Sequence, residues 1–205
     1  MHKNNEVEKF TSIAESWWET EGPFKTLHEI NPTRMEYICS QIREHKTIDN
    51  LKILDVGCGG GIVSIPLARL GAKVTGIDAG KENIEVAKKY ASSQGLKIDY
   101  QNILLEDIKE EYDVILCLEI IEHIDDLDKF FKSVSANLKP GGLIICSTLN
   151  RTLKGLALGI IAAEYILRWV PQGTHNFNKF VKPSELNDFL EKNAIKVIDI
   201  SGMSY

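Results

Sequence analysis

The chain has 205 residues, of which 43% are hydrophobic and 26% charged, a composition that predicts a single soluble globular domain and excludes a disordered or fibrous protein. Its 24 basic and 29 acidic residues give a net charge of −5, which argues against nucleic acid as a partner. The four cysteines are too widely spaced for a zinc or redox pair, and they indicate a reducing, cytoplasmic compartment.

Helix and strand patterns alternate along the chain. Residues 5–20 carry apolar positions at helical spacing, and a second helix is predicted to begin after Asn31, with Pro32 in its first turn. The predicted strands that follow are 52–56, 73–78, 97–101, 112–118 and 143–149, with helices ending at Leu70 and spanning 81–94 and 127–138. This order predicts an α/β fold, a doubly wound and mostly parallel sheet with helices on both faces. Ligands of such sheets bind at the carboxyl ends of the strands.

A glycine-rich loop follows the first predicted strand, in the stretch Asp55-Val-Gly57-Cys-Gly59-Gly-Gly61. A tight turn without a ligand is one interpretation, and a backbone that approaches a cofactor closely is the other. The dinucleotide-binding pattern requires Gly or Ala where Ile62 stands, so a nicotinamide dehydrogenase is disfavoured. Asp78 ends the next predicted strand, where its carboxylate can accept both hydroxyls of an adenosine ribose.

The spacing G-x-G-x-G, with an acid two residues before it, resembles the class I S-adenosylmethionine methyltransferases. The resemblance places Asp55 near the methionine end of the cofactor and Asp78 at its ribose. A carboxylate at the loop would repel a pyrophosphate, whereas it suits a sulfonium that carries an ammonium group.

Further sequence blocks lie on either side of this loop. They are Trp17-Trp18-x-x-Glu21-Gly22, Ile30-Asn31-Pro32-x-Arg34, Glu119-Ile-Ile-Glu122-His123, Ser147-Thr-Leu-Asn-Arg151 and Gly173-Thr174-His175. With these blocks the chain resembles, over nearly its whole length, the ubiquinone biosynthesis O-methyltransferases, which methylate catechol-type oxygens on polyprenylated rings. The resemblance implies a polyprenylated catechol or phenol as substrate, and other ubiquinone-biosynthesis proteins as candidate partners.

The resemblance also implies a set of cofactor-binding residues. The family's contacts fall on Arg34, Gly57, Asp78 and Leu118, and further candidates are Asp55 and Gly59 at the glycine loop and Glu106 after the third predicted strand. The Arg34 guanidinium can pair with the methionine carboxylate through two parallel hydrogen bonds. The adenine contact is left open between Glu106 and backbone groups, because Leu104 and Leu105 stand where many methyltransferases have an acid.

The chemical step requires a base or a metal ion, because a phenol has a pKa near 10. Glu119, Glu122 and His123 have the spacing that brings three side chains to one side of a helical turn. The resemblance associates this trio with a divalent ion, Mg²⁺, Mn²⁺ or Zn²⁺, that would acidify the phenol. The alternative is a trio that shapes the pocket without a metal. The candidate bases are Glu122, His123 and His175.

The segment Leu153–Val170 is very apolar for a connection after a strand. It either packs internally or contacts a membrane surface, with Lys154 and Arg168 near anionic lipid headgroups. Its uncharged part, residues 155–163, is far shorter than the roughly 20 residues that span a bilayer. We therefore expect a cytoplasmic protein bound peripherally to the inner face of the membrane.

One methyltransferase domain is predicted over residues 1–205. Its expected parts are a helical cap (1–50), a cofactor-binding core (51–150), an apolar lid (151–180) and a C-terminal helix and strand (181–205). A sixth strand is predicted at Ile195–Ser201, and by the resemblance the chain looks truncated before the last strand. Two alternatives to the O-methyltransferase remain: a non-catalytic cofactor-binding or assembly subunit, and a methyltransferase with another small-molecule acceptor.

Overall fold

A computed structural model describes residues 11–148 and 180–203 of the protein. The apolar segment Leu153–Val170 of the predicted lid and the candidate base His175 lie outside these residues, as does the first part of the predicted helix 5–20. Within the described residues, a five-stranded parallel sheet carries helices on both faces. This architecture confirms the predicted fold class.

The elements follow the alternation that the sequence predicts. The strands are β1 (Lys52–Val56), β2 (Lys73–Ile77), β3 (Asp99–Gln101), β4 (Tyr112–Leu118) and β5 (Leu138–Ser147). The helices are α1 (Lys25–His45), α2 (Ser64–Arg69), α3 (Lys81–Ser93), α4 (Leu127–Ala136) and α5 (Pro183–Lys192), with 3-10 turns at Ala14–Trp18, Leu105–Asp107 and Ile121–His123. The strand order is β3-β2-β1-β4-β5, so the topological switch point lies between β1 and β4.

Alternate residues of each strand bury on opposite faces of the sheet, as the two-residue period of a strand requires. On one face, Leu54 and Ile115 pack with Phe131 of α4 and Leu190 of α5. On the other face, the core is formed by Ile53 and Val114 of the sheet, Ile38 and Ile42 of α1, and Leu67 of α2. The central strands are therefore buried on both sides, and only their ends are available for a ligand.

Helix α1 begins seven residues before the predicted start, at Lys25, so Pro32 lies inside the helix instead of in its first turn. A proline inside a helix removes one backbone hydrogen bond. Tertiary contacts hold the first half of α1 all the same: the Asn31 amide donates to the Ile62 carbonyl at 3.1 Å, and His28 Nε2 lies 2.8 Å from the Trp17 carbonyl. The predicted start was wrong because these contacts outweigh the local signal.

Strand β5 starts at Leu138, five residues before the predicted start, and ends at Ser147 instead of residue 149. Strand β5 pairs with β4, and in this pairing Tyr112 lies opposite Leu138 and Val114 lies opposite Leu143. More residues therefore separate the two pairs on β5 than on β4. The segment Lys139–Gly142 was predicted to separate α4 from the strand. It forms an irregularity within the strand, with Gly141 at φ 69°.

The predicted sixth strand at Ile195–Ser201 is wrong, since residues 195–203 form no strand with any described part of the sheet. Side chains hold this segment in place. Ile195 and Val197 pack against the core, and Asp199 accepts a hydrogen bond from Tyr37 of α1 at 2.6 Å. Ile195 and Val197 therefore pack against the core without backbone pairing to the described sheet, and Ile198 and Ile200 are exposed.

Candidate active site

The loop between β1 and α2 turns sharply at three glycines. Gly57, Gly59 and Gly61 have φ angles of 72°, 52° and 87°, which residues with a Cβ rarely adopt. The N–H groups of Gly57 and Cys58 both donate to the Ile77 carbonyl, at 2.8 and 3.0 Å, and so tie the loop to the end of β2. The loop therefore turns tightly, as both interpretations of the sequence require.

Asp78 follows β2, and its carboxylate lies against the glycine loop. Its Oδ2 accepts the Gly59 N–H at 3.0 Å, and its Oδ1 accepts the Gly80 N–H at 2.7 Å and the Asn83 side-chain amide at 3.1 Å. Burial raises the pKa of Asp78, and these three donors act in the opposite direction. The half-buried carboxylate keeps acceptor capacity for a ligand hydroxyl, because two carboxylate oxygens offer about four lone-pair positions.

Asp55 lies at the end of β1 with only 3% of its surface exposed. Ser64 Oγ donates to its Oδ2 at 2.6 Å. Burial raises the pKa of Asp55 to about 6, although the Ser64 hydroxyl and the Arg34 guanidinium lower it. A buried carboxylate with one hydroxyl partner is a favourable neighbour for a ligand cation.

Arg34 of α1 is also buried, with 5% of its surface exposed. Its Nη2 lies 3.5 Å from Glu119 Oε1, which is a long ion pair, and its Nε has no hydrogen-bond partner among the described residues. An open donor on a buried guanidinium is costly unless a ligand satisfies it. The geometry therefore leaves Arg34 available to an anionic group.

Two glutamates follow β4, each held by a hydroxyl from the end of β5. Glu119 Oε1 accepts from Ser147 Oγ at 2.7 Å, and Glu122 Oε2 accepts from Thr148 Oγ1 at 3.0 Å. Glu122 is 4% exposed. Burial and the negative charge of Glu119 raise the pKa of Glu122 to about 8.

The prediction that Glu119, Glu122 and His123 share one helical turn is wrong. Glu119 has a left-handed backbone with φ 51°, and the 3-10 turn begins only at Ile121. In residues 11–148 and 180–203, no three His, Cys, Asp or Glu side chains are grouped so that they can hold a metal ion. The predicted metal set is therefore not assembled, because the two carboxylates follow different backbone conformations and bind different hydroxyls.

Two other predicted cofactor residues, Leu118 and Glu106, lie on different parts of the sheet edge. Leu118 ends β4 beside the switch point, as predicted. Glu106 lies on the 3-10 turn after β3, and its carboxylate pairs with Lys129 of α4 at 3.1 Å. Its adenine contact stays a prediction, as does the role of His175.

Two tryptophans of the 3-10 turn Ala14–Trp18 contact the glycine loop, a role that the sequence analysis did not assign. The Trp17 ring lies so close that a Cβ on Gly59 would come within 2.5 Å of it. The Trp18 indole N–H donates to the Gly60 carbonyl at 3.0 Å. The adjacent Trp17 and Trp18 are visible in the sequence, but the helical spacing of residues 5–20 accounts for both as apolar packing positions.

The parallel sheet, the glycine loop, an acid near the end of β1 and an acid directly after β2 are together the features of the methyltransferase class. A family model described as a methyltransferase domain matches residues 15–199. Solved structures with the same fold include magnesium protoporphyrin IX methyltransferase from Synechocystis PCC 6803, with a TM-score of 0.64 and 19% identity over 87% of this chain and 78% of that one. The YcgJ protein of Bacillus subtilis gives a TM-score of 0.59 and 22% identity over 75% of this chain and 65% of that one.

Curated relatives define the family more narrowly. The ubiquinone biosynthesis O-methyltransferase of Pelagibacter ubique is 49% identical, over 98% of this chain and 87% of that protein. The enzymes of the same name from Bartonella tribocorum and Rickettsia felis are 47% and 46% identical, over 98% of this chain and 86% and 83% of theirs. The chain belongs to the ubiquinone biosynthesis O-methyltransferase family.

Proposed function

We propose that the protein transfers the methyl group of S-adenosylmethionine to a phenolic oxygen of a polyprenylated catechol, a precursor of ubiquinone. The observation that carries the proposal is the placement of Asp55, Asp78 and Arg34 around the glycine loop. Their charges complement the ammonium, ribose and carboxylate groups of S-adenosylmethionine. The names of the relatives support an oxygen acceptor in ubiquinone biosynthesis.

Each of the three side chains has one part of the cofactor to bind. The open donor of Arg34 receives the methionine carboxylate, and Asp55 attracts the ammonium group beside it. Asp78 accepts the ribose hydroxyls, while Gly57 and Gly59 let the backbone approach without a side chain in the way. The negative charges of the two acids also favour a cofactor that carries a sulfonium over an uncharged analogue.

The methyl transfer itself needs a base close to the acceptor oxygen. A carboxylate whose pKa is raised towards 8 accepts a phenolic proton far more readily than an ordinary Glu, because its pKa lies closer to that of the phenol. Glu122 is therefore the base we favour, with His123 and His175 as rivals. As the base takes the proton, the phenolate oxygen attacks the methyl carbon in line with the C–S bond, whose electron pair stays on the sulfur of S-adenosylhomocysteine.

The arrangement of Glu119 and Glu122 does not fit a bound divalent ion well. Glu119 would have to leave both Arg34 and Ser147, and Glu122 would have to leave Thr148, before they could bind one ion together. We therefore assign no step of the reaction to a metal.

The acceptor's long isoprenoid tail favours an enzyme that works at a membrane surface. None of the helices in residues 11–148 and 180–203 has the length and hydrophobicity of a membrane-spanning segment. We infer that the protein is cytoplasmic and binds the inner face of the membrane peripherally, through the segment Leu153–Val170, whose basic residues Lys154 and Arg168 meet anionic lipids.

Replacing Asp78 with Asn is expected to weaken S-adenosylhomocysteine binding at least tenfold. The variant loses one or two charge-assisted hydrogen bonds, each worth about 1.5–3 kcal/mol. Titration calorimetry measures the change, and Glu82→Gln, an exposed acid in the first turn of α3, is the matched control. Unchanged affinity in Asp78→Asn would remove Asp78 from the site.

Reversing two charges in the double variant Lys154→Glu, Arg168→Glu is expected to abolish salt-sensitive flotation with anionic vesicles. Each basic residue near such a surface contributes about 1 kcal/mol. The control reverses two lysines of α3 and the loop after it, Lys88→Glu and Lys97→Glu, and should float like the unaltered protein. Equal flotation of both variants would place membrane contact elsewhere on the protein.

A further inference from the structure

We propose that Trp17 is a positioning residue for the cofactor, because its indole N–H orients Asn83, which in turn holds the carboxylate of Asp78. The inference rests on the proposed function, in which Asp78 binds the ribose. Trp17 Nε1 lies 2.9 Å from Asn83 Oδ1, and Asn83 Nδ2 lies 3.1 Å from Asp78 Oδ1. Trp17 and Asn83 are 8% and 3% exposed, so water does not readily substitute for either contact.

The direction of this relay follows from the chemistry of its three groups. An indole N–H only donates, and an ionised carboxylate only accepts. Asn83 must therefore present its oxygen to Trp17 and its NH₂ group to Asp78. Without the indole N–H, the buried Asn83 oxygen loses its donor and the amide is no longer held on the side away from Asp78. The NH₂ group is then less well positioned against the carboxylate.

Contacts on several sides fix the position of Trp17. Its ring stacks on Phe24 with a centroid separation of 3.7 Å and an interplanar angle of 7°. Its carbonyl lies 2.8 Å from His28 Nε2. The same ring covers Gly59, whose N–H donates to the other oxygen of Asp78 at 3.0 Å. Trp17 thus acts on both carboxylate oxygens, on one through Asn83 and on the other through the glycine loop.

Trp18 provides a matched comparison within the same turn. Its indole N–H also donates to the loop, at the Gly60 carbonyl, and its ring stacks on Tyr90 with a centroid separation of 3.4 Å. Replacing either tryptophan by Phe removes one indole hydrogen bond and keeps an aromatic ring. Only Trp17→Phe breaks the relay to Asp78.

The test is titration calorimetry with two ligands, S-adenosylhomocysteine and its analogue with a 2′,3′-dideoxyribose. We expect Trp17→Phe to weaken S-adenosylhomocysteine binding about tenfold and to leave the dideoxy analogue unchanged, since that analogue has no hydroxyl for Asp78. Trp18→Phe should change the affinity for the two ligands by the same factor. In the Asp78→Asn background, Trp17→Phe should have no further effect on S-adenosylhomocysteine affinity.

Asn83→Ala is the second variant, because it breaks the relay and leaves the Trp17 ring in place. It should reproduce the loss for S-adenosylhomocysteine and spare the dideoxy analogue. Equal losses for both ligands in Trp17→Phe and Asn83→Ala, or no loss in either, would overturn the relay. If the unaltered protein does not bind S-adenosylhomocysteine, the proposed function itself fails, and the two failures are thereby distinguished.

Discussion

Replacing Glu122 with Gln is expected to slow methyl transfer by about 10²–10⁴-fold, the range that a positioned general base contributes. Gln keeps the size of the side chain and can still accept from Thr148, so the local packing should survive. It cannot take up the phenolic proton. Single-turnover rates measure the loss, while S-adenosylhomocysteine affinity should stay as in the unaltered protein.

The pH profile separates Glu122 from its rivals. With burial and Glu119 raising its pKa to about 8, Glu122 becomes an active base as the pH rises through that value, so kcat/KM should increase up to about pH 8. The increase should disappear in Glu122→Gln. A full rate in that variant, together with a steep loss in His123→Gln or His175→Gln, would assign the base to a histidine.

Replacing Asp55 with Asn is expected to raise the free energy of unfolding of the ligand-free protein above pH 6 while weakening S-adenosylmethionine binding at least tenfold. The folded-state pKa of about 6 lies above the usual 3.8, so the folded protein binds this proton more tightly than the unfolded chain does. Asp55 therefore contributes stability below pH 3.8 that is lost as the pH rises through 6. The difference between these pKa values corresponds to about 3 kcal/mol, and Asn avoids that cost.

Asp113 of β4 is a control, because its pKa is shifted in the direction opposite to that of Asp55. Burial acts to raise its pKa, but the Lys139 ammonium at 3.0 Å and the Lys52 N–H at 3.1 Å hold it below its usual value. Asp113→Asn should therefore lose stability at pH 7, where Asp55→Asn gains it. Chemical denaturation at pH 5 and pH 8 measures both. A loss of stability in Asp55→Asn at pH 8 would show that the buried carboxylate is stabilising.

The sequence predicted those parts of the molecule that depend on local pattern. The glycine turn at Gly57 and the position of Asp78 follow from strand period and from backbone angles that only glycine tolerates. The start of α1 and the irregularity before Leu143 depend on contacts with residues distant in sequence. The Ile62 carbonyl, which helps to hold that helix, is too far from Pro32 in the sequence to affect a prediction from local pattern.

The candidate site shows the same division. Spacing correctly placed the acids at the ends of neighbouring strands, because parallel strands end at one edge of the sheet. It failed for Glu119 and Glu122, because their spacing implies a regular helical turn and the backbone at Glu119 is left-handed. It also missed Trp17, whose role appears only when residues 17 and 83 are brought together by the fold.

The proposed function predicts transfer of a tritiated methyl group from S-adenosylmethionine to a soluble short-tail catechol. We expect the label to appear as an O-methyl ether, with one S-adenosylhomocysteine formed for each ether, and to fall steeply in Glu122→Gln. Tight binding of S-adenosylhomocysteine with no transfer to any catechol would contradict the account and indicate a non-catalytic cofactor-binding subunit.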